Sequence, residues 1–272
     1  MTRHTSHPSS LRRRALFAGG ALAGLAYARS ALGASANTAA GPNVDHSGKF
    51  GPDGNVRTWR GDTIITPLPV SSPAFEPMLR INADVTRRFR DTIAATPPSS
   101  YHMTIFGGAD PNQRAHRRWP PGVALDAPIE VADAAIRRRV EQTRFDYPVP
   151  IRMVVDLADG LPETPGVFLQ PETPAEGEVL YRLRRTLSDV TGIRPPDIDS
   201  FRFHMTFGYA VRPMSDTVAI QFGRSLALWR RWVADAAPVI AFPPPTLCVF
   251  DDMFAFRPLL TLKRAGTEDD RP

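Results

Sequence analysis

Tyr101-His102-Met103-Thr104-Ile105-Phe106-Gly107 decides how this chain is read, because its centre returns in Phe203-His204-Met205-Thr206-Phe207-Gly208. Coincidence supplies a second copy of such a tripeptide in roughly one chain of this composition in a hundred. The repeat therefore points to a duplicated segment. Side chains of an extended strand alternate between its two faces. His102 and Thr104 then share one face, against Tyr101, Met103 and Ile105. His204 and Thr206 likewise oppose Phe203, Met205 and Phe207. Each strand has an apolar face to bury and a His/Thr face to show.

The segments around the two copies repeat as well. A helical pattern at 76–95 leads through Pro97-Pro98 to the first strand, followed by a helix at 129–144 and strands near 151–157 and 167–169. A helix at 178–190 leads to a second strand at 201–209. Then come a helix at 216–235 and strands near 246–250 and 254–262. Thr63 to Leu68 is a further β-branched strand, and Pro52-Asp53-Gly54-Asn55 a turn. This order predicts an α+β fold of two pseudo-symmetric lobes, each an antiparallel sheet with helices on its outer face, around a central cleft. Facing each other across that cleft, the two His/Thr faces bring two imidazoles and two hydroxyls to one ligand.

That set of groups suits acid–base chemistry at phosphorus. Imidazole, with an ordinary pKa near 6.5, lets one copy be neutral and the other protonated near neutral pH. The neutral ring takes a proton from an attacking water, and the charged ring protonates the departing oxygen. The threonine hydroxyls donate to non-bridging oxygens as charge builds there. Nothing in this scheme calls for a metal or an organic cofactor.

With two His-x-Thr motifs on strands of a duplicated chain, the sequence resembles the 2H phosphoesterase superfamily, which includes 2′,3′-cyclic phosphodiesterases and 2′-5′ RNA ligase-like proteins. Gly48-Lys49-Phe50-Gly51-Pro52-Asp53-Gly54-Asn55-Val56 together with Tyr101-His102-Met103-Thr104 resembles a branch known only as a domain of unknown function. The resemblance spans roughly 48–262. It implies acid–base roles for His102 and His204 and phosphate binding by Thr104 and Thr206. The implied activity is a metal-independent opening of a cyclic phosphodiester, in a 2′,3′-cyclic nucleotide or an oligonucleotide end. A 2′-5′ phosphodiester-specific enzyme and a non-catalytic nucleotide-binding module are the alternatives.

Three further residues are candidates for substrate binding. Phe106 falls on the His102/Thr104 face if the alternation continues, where it would stack on a base or else sit at the rim or in the core. Arg202 precedes His204 by two positions and is placed to grip phosphate, or to be solvated at a strand end. Arg152 alternates with Ile151 and Met153 and either reaches the cleft from a neighbouring strand or covers a surface face. Trp119, in Arg117-Arg118-Trp119-Pro120-Pro121, either caps the ligand from a loop or anchors that loop. Asp251-Asp252 lacks partners at metal-ligand spacing.

Charge and cysteine content narrow the partners. The 272 residues carry 33 Lys and Arg against 28 Asp and Glu, a formal charge of +5. Arg3, Arg12, Arg13, Arg14 and Arg29 lie within 1–36, which hold no acid, so the remainder is formally neutral. A long nucleic-acid polymer held by counterion release is thereby disfavoured, while a small phosphorylated nucleotide or short oligonucleotide is not. Arg12-Arg13-Arg14 before the apolar stretch 15–28, with Ala34-Ser35-Ala36 behind it, reads as a signal peptide of twin-arginine type. The apolar stretch is shorter than the about 20 residues of a membrane span. The expected organisation is a leader at 1–36, a linker at 37–47, a bilobal domain at 48–265 and a polar tail at 266–272. Such a product is exported through the twin-arginine machinery, periplasmic or secreted, and expected to be a monomer. The single Cys248 excludes an intrachain disulfide and sits in an apolar run, where a thiol is inert.

Overall fold

The computed structural model describes residues 41–158, 160–161 and 163–266, and only the backbone at 115 and 116. The proposed leader and nearly all of the proposed tail lie outside them. From the N-terminal side the elements are β1 (Gly61–Pro67), α1 (Phe75–Arg88), β2 (Ile93–Ala95), β3 (His102–Gly107), α2 (Ile129–Glu141), β4 (Arg144–Phe145), β5 (Ile151–Val155) and β6 (Gly166–Pro171). They continue with α3 (Pro174–Thr191), β7 (His204–Thr206), β8 (Gly208–Ala210), α4 (Asp216–Ala236), β9 (Ile240–Phe242), β10 (Thr246–Phe250), β11 (Arg257–Thr261) and β12 (Lys263–Arg264). Among the described residues no helix is long and apolar enough to cross a membrane.

Eight strands form one sheet in the order β11-β10-β1-β3-β7-β6-β5-β9, every pair of neighbours antiparallel. The order reads outward from the motif strands: β3 is followed by β1, β10 and β11, and β7 by β6, β5 and β9. The two lobes are interleaved in sequence. Strands β5 and β6 follow the first motif yet flank the second, while β10 and β11 follow the second motif and complete the lobe of the first. The helices pair as α1 with α4 and α2 with α3.

Pattern and structure agree where an apolar face is long. Helix α1 buries Met78, Ile81 and Val85, spaced at three and four residues, and α4 buries Phe222, Leu226, Trp229 and Val233. Phe207, Phe222 and Phe89 surround Trp229 edge-on, and its Nε1 donates to Asp84. Tyr101, Met103, Ile105, Phe203, Met205 and Phe207, the apolar faces of the two motif strands, are all buried beneath the helices. Each such side chain contributes about 1.5–3 kcal/mol of transfer free energy.

Two expected elements are divided. The helical pattern at 76–95 ends at Arg88, and its last residues form β2 instead. The strand expected over 201–209 breaks after Thr206, and β8 leaves the main sheet to pair with β2. Gly208 permits this crossing, because a Cβ there would stand 2.8 Å from the Ala94 carbonyl oxygen.

Candidate active site

The two repeats meet at their midpoints. Met103 of β3 lies in register with Met205 of β7 in an antiparallel pairing. This register sets His102 beside Thr206 and Thr104 beside His204, neighbours at roughly 5 Å between Cβ atoms. The expected convergence is thus reached through adjacency within one continuous sheet. All four side chains line one cavity of about 280 Å³.

Each histidine is oriented by the same local device. Nδ1 of His102 lies 2.7 Å from the Ser100 carbonyl oxygen, and Nδ1 of His204 lies 2.8 Å from that of Arg202. A carbonyl only accepts, so Nδ1 carries the hydrogen and donates it. Nε2 is then the ring nitrogen left for chemistry, a base when neutral and a donor when protonated. Aromatic rings hold the imidazoles from the side: Phe256 stands 4.3 Å from His102 between centroids, and Phe201 and Phe168 stand 5.8 and 5.9 Å from His204.

Burial lowers the pKa of both imidazoles. That of His102 is pushed down to about 4, chiefly by burial, with the nearby His204 adding to the effect and the Ser100 hydrogen bond opposing it. His204 is lowered by burial first and also by Lys49. Both rings are therefore neutral in the free protein near pH 7, and an anion in the cavity favours protonation of one of them.

The remaining candidates take other places. Phe106 is a correction: its side chain is fully buried in the core and does not line the cavity. Ile64 pairs with Phe106 and Ile65 with Thr104, so β3 carries one extra residue and bulges there. Ile105 and Phe106 consequently both turn inward, which shifts the alternation by one. Arg152 is drawn to the outer face of β5 by an ion pair with Glu172, its Nη2 2.9 Å from Oε1. Arg202 serves the site through its carbonyl oxygen, and its exposed side chain is absent from the cavity lining. Trp119 is an anchor, buried with its Nε1 donating to the Ala124 carbonyl. Cys248 is buried and its thiol pushed up to about 11 by burial, which leaves it inert. Asp251 pairs with Arg60, and among the described residues no three His, Cys, Asp or Glu side chains gather as a metal site.

Sequence reasoning missed several residues that complete the cavity: Lys49, Trp59, Asp62, Arg118, Tyr209 and Phe256. Lys49 was within reach, since it stands in the quoted Gly48–Val56 stretch. Its position follows from Phe50, which is buried in a satellite cluster with Ala94, Val211 and Met253 and stacks on Tyr209 at 4.8 Å. The turn at 52–55, closed by Gly54 N–H donating to the Gly51 carbonyl, and the Phe50–Val56 bridge hold this segment as a small hairpin. Asp62 enters from β1, fully buried, with Oδ2 accepting from the Ala109 N–H. Burial and the neighbouring Asp133 hold its carboxyl well above the usual range. Burial thus disfavours the charged form of this group on the wall of the cavity.

Residues 49–160 match the family described as 2H-phosphodiest, domain of unknown function (DUF1868). A solved structure of a conserved protein of unknown function from Agrobacterium tumefaciens is 28% identical over 79% of this chain and 90% of its own, with a TM-score of 0.71. E. coli LigT complexed with 3′-AMP is 13% identical, covering 77% of this chain and 99% of its own at a TM-score of 0.41. No curated protein matches the chain. The family match takes in the segment that carries the first motif, His102-Met103-Thr104, and ends before the second.

Proposed function

We propose that the protein is an exported phosphoesterase that opens a cyclic phosphodiester, in a 2′,3′-cyclic nucleotide or the end of a short oligonucleotide, with His102 and His204 as its acid–base pair. The observation that carries this reading is the Met103–Met205 register, which places each histidine beside the other motif's threonine on one cavity. One neutral Nε2 takes a proton from water as its oxygen bonds to phosphorus. The phosphorus–oxygen bond of the ring breaks, and the other imidazole, protonated, gives its proton to the leaving ribose oxygen. The net change is one water consumed and one phosphomonoester formed. Thr104 and Thr206 donate to the non-bridging oxygens, where charge accumulates. The leader at 1–36, with Arg12-Arg13-Arg14 before its apolar stretch, supports the export part of the reading.

Hydrolysis of adenosine 2′,3′-cyclic phosphate, followed with and without EDTA, tests the reading. Turnover unchanged by the chelator is expected. Activity only with added divalent metal contradicts the mechanism. Binding without product on prolonged incubation identifies a nucleotide-binding module instead.

A further inference from the structure

Two cations of the cavity wall play no part in the acid–base scheme. Lys49 and Arg118 both line the His102–His204 cavity, and among the described residues neither forms an ion pair. Nζ of Lys49 rests over two aromatic rings, 5.4 Å from the centroid of Tyr209 and 5.9 Å from that of Trp59. Arg118 lies across the end of β3, where Gly107 makes room: a Cβ at that position would stand 2.8 Å from Nη1. Among the described residues its guanidinium donates only to the Gly107 carbonyl oxygen, at 3.5 Å, which is too long to hold it firmly.

The carboxylates nearest this pair accept hydrogen bonds from neutral donors and form no ion pair with it. Asp45 accepts from the N–H and hydroxyl of Ser47, and Asp110 from the backbone and side-chain N–H groups of Asn112. Burial lowers the pKa of the Lys49 ammonium, Asp45 and Asp110 act against that from a distance, and Arg118 lowers it further. Asp62, the other acid of the wall beside Asp110, has its carboxyl pKa raised by burial and by Asp133. Two cations near enough to repel each other are thus held at one cavity without an ion-pair partner, and an anion there relieves the repulsion. The reacting phosphodiester carries one negative charge and already has two imidazoles and two hydroxyls around it.

We infer that Lys49 and Arg118 form a second anion subsite, which takes a phosphomonoester group borne by the same ligand whose cyclic phosphodiester lies between the histidines. The inference rests on the proposed reading for the position of the reacting phosphorus. The substrate class is accordingly a nucleotide with a cyclic phosphodiester and a separate terminal phosphate. Phe50, stacked on Tyr209, fixes Lys49 on the cavity wall, and the backbone bond from Asp110 N–H to the Arg118 carbonyl fixes the loop that carries Arg118.

Calorimetric titration of the full chain with adenosine 2′,3′-cyclic phosphate and with its 5′-phosphorylated form tests this. The 5′-phosphorylated ligand is expected to bind about tenfold tighter or more, the effect of one or two charge-assisted hydrogen bonds. Lys49→Met and Arg118→Met are each expected to lose most of that preference. Equal affinities in the unmodified protein, or a preference that survives both substitutions, overturns the inference. Turnover measured in parallel separates the two proposals: a preference without product keeps the subsite and rejects the hydrolase, and product without a preference does the reverse. Should either methionine variant lower the melting temperature, Lys49→Gln and Arg118→Gln replace them, and the comparison of ligands in the unmodified protein decides independently.

Discussion

Met103 and Met205 face each other across the β3–β7 pairing, the central residue of one repeat against the central residue of the other. Everything the site does follows from that contact, since an antiparallel register centred on the two methionines brings four polar side chains to one side of the sheet. The methionines themselves point the other way, into the core.

Replacement of either histidine is expected to remove catalysis and leave the fold. His102→Ala and His204→Ala should each lower turnover of a 2′,3′-cyclic nucleotide by about 10²–10⁴-fold, the usual contribution of a positioned acid or base. Both rings lie at the cavity wall, so circular dichroism and melting temperature should stay close to those of the unmodified protein. Residual activity within a few-fold in either variant contradicts the acid–base assignment.

Anion binding should draw in protons. Burial holds the free imidazoles neutral near pH 7, with His102 at about 4 and His204 also lowered. A bound anion favours imidazolium and raises both values, so between the free and bound pKa the complex holds more protons than the free protein. Affinity therefore strengthens as pH falls from about 7 toward 5. Sulfate keeps its charge over that range and serves as probe. Titrations in buffers of different ionisation enthalpy should report uptake, and substitution of both histidines by glutamine should abolish it. An affinity independent of pH refutes the linkage.

Phe106 should behave as a core residue. Phe106→Ala is expected to cost about 3–5 kcal/mol in urea unfolding, the range for truncating a buried phenylalanine. A nucleotide-stacking role would instead raise KM at unchanged stability, and that pattern would restore the expectation drawn from strand alternation.

Arg184 ties the first motif strand to the loop that leads into the second. Buried in α3, it donates through Nη1 to the Ile105 carbonyl at the bulge and through Nε to the Ile198 carbonyl, 3.2 Å away, with its guanidinium 4.0 Å from the Phe201 ring centroid. Arg184→Met leaves these carbonyls without a donor and is expected to destabilise by about 3 kcal/mol or more. Chemical denaturation checks the value, and a loss below about 1 kcal/mol is inconsistent with the role.

The tripeptide repeat, its alternation and the periodic helices were legible in the sequence because each is a local rule. A period of two or 3.6 assigns faces without knowledge of partners, and the order of helices and strands follows from it. That is how His102, Thr104, His204 and Thr206 could be picked out beforehand. Three things were settled only by the fold. The bulge opposite Ile64 and Ile65 turned Phe106 inward, because a bulge arises from pairing with another strand. Arg152 left the cleft because Glu172, twenty positions away, lay beside it on the sheet. Lys49 and Arg118 reached the cavity because a distant satellite core and a glycine at a strand end made room for them. Local periodicity says which way a side chain points from its own backbone, and only long-range packing says what it meets there.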